Sequence, residues 1–197
     1  MAYSLMHYAH LIGLMVLGAG LIGVWISDLR SRTVRDLELF GEAVRNIAVF
    51  YDGVVVPGAI ILFVSGAWMT TDMWGGWGFI QHPWLAGMIV LFIFEFVEGN
   101  AVTRLYFMRL RRLTNEALIH GSVTPELIHA RQEQVPTFTH FLDIPMLLVI
   151  VSLGVMKPST WTHFIIGGIC ALAMATLLAL WIPRLYRWVP PEYNKSR

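Results

Sequence analysis

Five apolar stretches, each long enough to cross a hydrocarbon core as a helix, dominate this 197-residue chain. A spanning helix takes about 20 predominantly apolar residues, since the core is about 30 Å thick and a helix rises about 1.5 Å per residue. The stretches lie at about 4–26, 47–70, 84–106, 138–156 and 161–182. Lipid offers no hydrogen bonds to an open backbone, so such a series folds as an all-α, integral membrane five-helix bundle. A single transmembrane domain is expected over residues 1–197, with one longer polar loop at about 107–137. Composition agrees. Charged residues make up 14% of the chain, whereas a soluble domain carries roughly a quarter. A net charge of +1 gives no basic field for nucleic acid. Cys170 has no partner for an internal disulfide. The first stretch is too long for a cleavable signal peptide, and no basic residue precedes it.

Loop charges set an expected orientation. Thirteen of the fourteen lysines and arginines follow the first, third and fifth spans, against Lys157 alone on the other side. The thirteen include Arg30, Arg45, Arg104, Arg131, Lys195 and Arg197. By the positive-inside rule the N-terminus is outside and the C-terminus cytoplasmic, in a bacterial inner membrane. Trp68, Trp74, Trp77, Trp84 and Trp161 then read as an outer aromatic belt, and Trp25, Trp181 and Trp188 as an inner one. Within the loop at 107–137, Thr124 and Pro125 are placed to start a short helix.

Four acids, Asp52, Glu95, Glu98 and Asp143, fall within or just inside the spans, where an ionised side chain costs about 2.5–3.5 kcal/mol on insertion scales. Glu95 lies about 16 Å below the start of its span, near mid-membrane. Glu98 is three residues on and shares its helix face, as Asp143 does with His140. Such acids either pair with Arg45, Arg104 and one another to fix the bundle, or they bind protons, a metal or a cofactor edge. No lysine or arginine reaches the depth of Glu95, which is expected to hold a proton, metal or cofactor group. Asp52, beside Arg45, is the most structural of the four. Pro57, Gly58 and Pro145 permit kinks nearby.

Histidines supply a second signal. His10, Gly13, Leu17 and Gly20 share about 80° of helix arc, an imidazole followed by a side-chain-poor face. Haem in a helical bundle needs such a combination, an axial ligand and room for the macrocycle. His163, near the outer end of the fifth span, is the best second ligand. His7 sits one turn away, and His140 lies deeper, where it would require a second or lower haem. His82 is borne on a loop, and His120 and His129 read as solvated. A competing set is Met6, Met69, Met73, Met88 and Met156, mapped to the outer half, since thioether with imidazole suits copper(I). Methionine is also ordinary apolar filler.

At His10-Leu-Ile-Gly13 and Met156-Lys157-Pro158 the chain resembles a bacterial family of predicted integral membrane proteins of unknown function, over about residues 5–158. The fifth span looks like an addition. The early histidine is similar, more loosely, to that of HemJ-type protoporphyrinogen oxidases and CopD-type copper-resistance proteins. HemJ-type proteins bind haem through a histidine paired with an intramembrane lysine. No lysine lies inside a span here, so that likeness implies a role for His10 alone.

These features lead to the expectation of a haem b protein in electron transfer or in quinone- or porphyrin-linked oxidation. His10 and His163 would be the metal ligands, and Glu95, Glu98 and Asp143 would handle protons. Its partners would be the bilayer, with a quinone or redox partner, a second copy or a larger membrane complex. The other expectations are a proton or metal-ion carrier, copper included, working through the intramembrane acids, and an accessory subunit of a larger complex.

Overall fold

The computed structural model describes residues 1–192, and all of its regular structure is helical apart from one isolated bridge. Lys195 and Arg197, counted above among the basic residues, lie outside the described residues. The helices are α1 (Ala2–Thr33), α2 (Leu37–Phe50), α3 (Val56–Trp74), α4 (Pro83–Glu98), α5 (Arg104–His120), α6 (Pro125–Gln132), α7 (Gln134–Met156) and α8 (Thr162–Leu185). Five continuous helical segments are long and apolar enough to cross a membrane.

Two of those segments are longer than the apolar runs indicate. A π-helical turn at Tyr51–Val55 joins α2 to α3, and another at Gly99–Thr103 joins α4 to α5. Leu37–Trp74 and Pro83–His120 therefore each run for 38 residues. The polar loop expected at 107–137 is almost wholly helical as a result. α5 carries it to His120, Gly121 ends the helix at φ +66°, and α6 fills most of the return. Hydropathy marks only the lipid-facing part of a helix, and the amphipathic remainder of α5 packs Leu110, Leu113 and Ala117 inward. Thr124 caps α6 as its sequence predicts, its hydroxyl accepting from Leu127 N at 3.3 Å.

α1 packs along α3 through small residues, because two backbones can approach closely only where side chains are missing. A Cβ on Gly13 would lie 2.9 Å from Leu62 N, one on Gly20 2.7 Å from Val55 Cγ2, and one on Gly58 2.6 Å from Leu17 N. α7 contacts α1 and α4, with α8 on its far side. Only Ala171 and Ala175 of α8 are buried, so this helix is peripheral. At the arginine-rich end, Leu37, Phe40, Val44 and Ile47 of α2 form one core with Leu110, Leu113 and Leu127. The chain after α8 returns to this end, where Glu192 N donates to Arg35 O at 2.7 Å.

Two tryptophans of the expected inner belt turn into the bundle instead. Trp25 Nε1 donates to His140 O at 3.1 Å, and Trp188 packs on Phe40 and beneath Arg131. Trp181 is exposed, as an interfacial residue is.

Candidate functional site

α4 and α7 bring three carboxyl groups together inside the bundle. Glu95 and Glu98 occupy the last turn of α4, immediately before the π turn at Gly99–Thr103, and Asp143 faces them from α7. One oxygen from each lies within 4.8 Å of the others. Glu98 is 9% exposed and Asp143 5%. Glu95 Oε1, Glu98 Oε2 and Asp143 Oδ2 are buried, and none has a hydrogen-bond partner among the described residues. Such orphaned groups are rare in folded proteins and call for a physical account. Three negative charges at this spacing repel by about 3–4 kcal/mol per pair at an effective dielectric of ~20, so the cluster demands positive charge.

Its surroundings are built around the two π turns. Tyr51, first residue of one turn, donates its hydroxyl to Gly99 O, first residue of the other, at 2.8 Å. π-Helical turns leave backbone groups free and recur at functional sites. Thr103 donates to Glu98 Oε1 at 2.9 Å, and Thr139 stands 3.0 Å from Thr103 Oγ1. A cavity of about 60 Å³ opens beside the carboxyls, with Tyr51, Glu95, Asn100 and Asp143 at its polar side and Leu17 and Phe92 among its apolar wall. Mostly apolar, but with these four polar residues on one side and of this size, it has room for water.

The fourth intramembrane acid is separate. Asp52 pairs with Arg104 at 2.8 Å in a half-exposed ion pair, not with Arg45, which is exposed. Arg45 lies seven residues before Asp52 on one helical segment, whereas Arg104 comes from the neighbouring segment at the same level. None of the three clustered carboxyls is paired with either arginine.

Below the cluster, toward the arginine-rich end, lies a second buried group of charges. Asp28 Oδ2 accepts from Arg32 Nε at 2.8 Å, and Oδ1 from Arg131 Nη1 at 2.9 Å. Arg131 Nη2 also donates to Ser31 Oγ at 3.0 Å. Burial opposes the charge of Arg131, and the Asp28 carboxylate more than offsets this, so the guanidinium pKa stands above its ordinary value. Between the two groups sits His140, 1% exposed, with Phe107 and Phe141 against its ring. Its Nε2 is 3.9 Å from Asp28 Oδ2 and its Nδ1 3.9 Å from Asp143 Oδ2.

The remaining histidines stay apart. His10 Nδ1 lies 3.0 Å from Ser65 Oγ, whose own hydrogen goes to Ile61 O, so the imidazole donates. The glycine face below His10 is not open: Leu62 and Val55 of the neighbouring segment occupy the space at Gly13 and Gly20. His163 meets Ser152 at 3.0 Å on the far side of α7, and His7 is exposed and stacked on Tyr3. The wider groove of about 450 Å³ between α1, α7 and α8 is lined by Trp25, Pro145, Ser152, Gly167 and Cys170 among others, and by no histidine. A haem slot beside His10 does not fit these residues.

A family model described as predicted integral membrane protein, DUF2269, matches residues 4–158. The chain belongs to this DUF2269 family. The matched segment contains the carboxyl cluster, His140 and the Asp28 network, and it ends before the peripheral α8. No curated protein and no solved structure matches the chain.

Several residues of this DUF2269 site escape a reading of the sequence. Asp28 lies just past the apolar run, where an acid looks solvated, yet Asp28, Ser31 and Arg32 fall on one face by their three- and four-residue spacing. Tyr51, Thr103 and Thr139 carry no signal of their own, since their roles depend on the π turns.

Proposed function

We propose that this membrane protein binds and transfers protons within the bilayer, through the Glu95–Glu98–Asp143 cluster. The observation that carries this reading is three carboxyls, each with a buried oxygen, mutually within 4.8 Å and with no arginine or lysine paired to them among the described residues. A structural role would pair them, as the same fold pairs Asp28. The ligand chemistry favours protons over a metal ion. A hard divalent cation takes about six to eight oxygens, or six in strict octahedral geometry. Here Glu98 Oε1 already accepts from Thr103 and the nearby Gly99 carbonyl from Tyr51, which leaves fewer oxygens free to ligate. The cavity beside Glu95 and Asp143 has room for a water to pass a proton to the carboxyls. With the basic residues on the cytoplasmic face, the N-terminus outside and the chain in a bacterial inner membrane, the cluster would lie near mid-membrane.

The test is proton flux into liposomes holding the purified protein and an internal pH dye, driven by a potassium diffusion potential. Wild type is expected to carry protons above protein-free vesicles, and Glu95→Gln and Asp143→Asn to reduce that flux at least tenfold. Flux equal to that of empty vesicles, or unchanged by both substitutions, would overturn the reading. Stoichiometric calcium or manganese binding by calorimetry, lost in Glu95→Gln, would replace the proton by a metal ion.

A further inference from the structure

We infer that His140, oriented by Asp28, is the proton-accepting partner of the carboxyl cluster, and that Asp28, Arg32 and Arg131 serve as its positioning residues. This rests on the proton-binding reading of the cluster and adds the direction in which a proton leaves it.

Two arginines donate to Asp28, one to each oxygen, at 2.8 and 2.9 Å. A carboxylate held in this way is an acceptor only. The imidazole nitrogen facing it, Nε2, must then carry the hydrogen, because a bare nitrogen would set two lone pairs against each other at 3.9 Å. In a neutral imidazole, one protonated nitrogen leaves the other as a lone pair. Nδ1 is therefore the acceptor, and it faces Asp143 Oδ2. Both ring nitrogens are buried and without another partner, and the orphaned Asp143 oxygen is the one that faces the ring. A carboxylate that fixes an imidazole tautomer and steadies the imidazolium is the orienting arrangement found in acid–base triads.

Around the ring, the carboxylates favour an imidazolium and the two arginines oppose it. Asp28 and Arg32 face it from α1, Arg131 from α6, Glu95 and Glu98 from α4, and Asp143 from its own helix. Asp28 with its two arginines has one positive charge in excess, a counter-charge for one carboxylate left on the cluster. In the step, the O–H bond of protonated Asp143 breaks and an N–H bond forms at His140 Nδ1. A carboxylate and an imidazolium result, with no electron transferred and nothing else consumed. Both 3.9 Å gaps must close by about 1 Å to reach hydrogen-bonding distance, and contacts of this kind are often long in unliganded sites.

Nitrogen NMR of the full-length protein in detergent, labelled with ¹⁵N-histidine and assigned by difference with His140→Asn, reads the tautomer directly. His140 is expected to carry its hydrogen on Nε2 with Nδ1 bare. In liposomes, His140→Asn is expected to lower proton flux at least tenfold. Flux unchanged in Glu95→Gln would remove the proton site itself. Flux lost in Glu95→Gln but within twofold of wild type in His140→Asn would overturn the role of His140 alone. A hydrogen found on Nδ1 in wild type would overturn it as well. Should His140→Asn not fold, ligation of a labelled C-terminal segment beginning after His129 leaves two labelled histidines, His140 and His163, and difference with His163→Asn lets the wild-type tautomer of His140 decide.

Discussion

Two buried clusters of charge lie on either side of His140, and they differ in one respect. In the Asp28–Arg32–Arg131 group every charge has an opposite neighbour within hydrogen-bonding distance. In the Glu95–Glu98–Asp143 group like charges face each other, with three orphaned oxygens. Removing one member of a buried ion pair strands the other, at a cost of about 3–5 kcal/mol. Neutralising one member of a like-charged set relieves repulsion. The first arrangement is therefore retained for the integrity of the fold, and the second persists against it. Active sites are where folded proteins hold such unfavourable groups. The contrast assigns structure, and the positioning of His140, to the first cluster and proton binding to the second.

The largest effect should come from breaking the paired cluster. Arg131→Ala leaves Asp28 with one partner and opens space beneath Trp188. A loss of about 3–5 kcal/mol in stability, read as a large fall in melting temperature in detergent, is expected. A change below about 1 kcal/mol would erase the distinction between the clusters. Glu95→Gln should do the reverse, keeping or raising the melting temperature while proton flux falls. A variant equally unstable and inactive would make the second cluster structural too.

Between these lies the scaffold of the site. A Cβ on Gly99 would stand 2.8 Å from Tyr51 Oη, so Gly99→Ala displaces the hydroxyl from the carbonyl that accepts it. The loss of one buried hydrogen bond, about 1–3 kcal/mol, is expected, and Tyr51→Phe in the same chain should recover none of it beyond the clash. Smaller still is Asp52→Asn. Its pair with Arg104 is about half exposed, and exposed pairs are worth about 0–1 kcal/mol. An effect as large as that of Arg131→Ala would mean that Asp52 belongs with the buried network. His10→Ala removes the bond to Ser65. Its absorption spectrum should match that of wild type, and a wild-type Soret band lost in the variant would return His10 to haem chemistry.

Much of this was legible in the sequence. The five apolar runs announced the spans, because hydrocarbon leaves a backbone no alternative to the helix. Glu95, Glu98 and Asp143 stood out for the same reason, as charges set where lipid penalises them. The glycine face below His10 was also legible, but its meaning was not. An absent side chain admits either a cofactor or another helix, and α3 takes the place.

By itself, the sequence determined the number of spans, the position of the carboxyls within them and the asymmetry of the basic residues, all of which follow from hydropathy and charge along a single chain. Only the tertiary structure decided which polar groups meet. Asp52 takes Arg104 from another helical segment, Asp28 joins Arg131 across more than a hundred residues, and His140 comes to stand between Asp28 and Asp143. Partnership in a bundle depends on how helices rotate and where π turns shift their faces, and those are properties of packing that no one-dimensional pattern encodes.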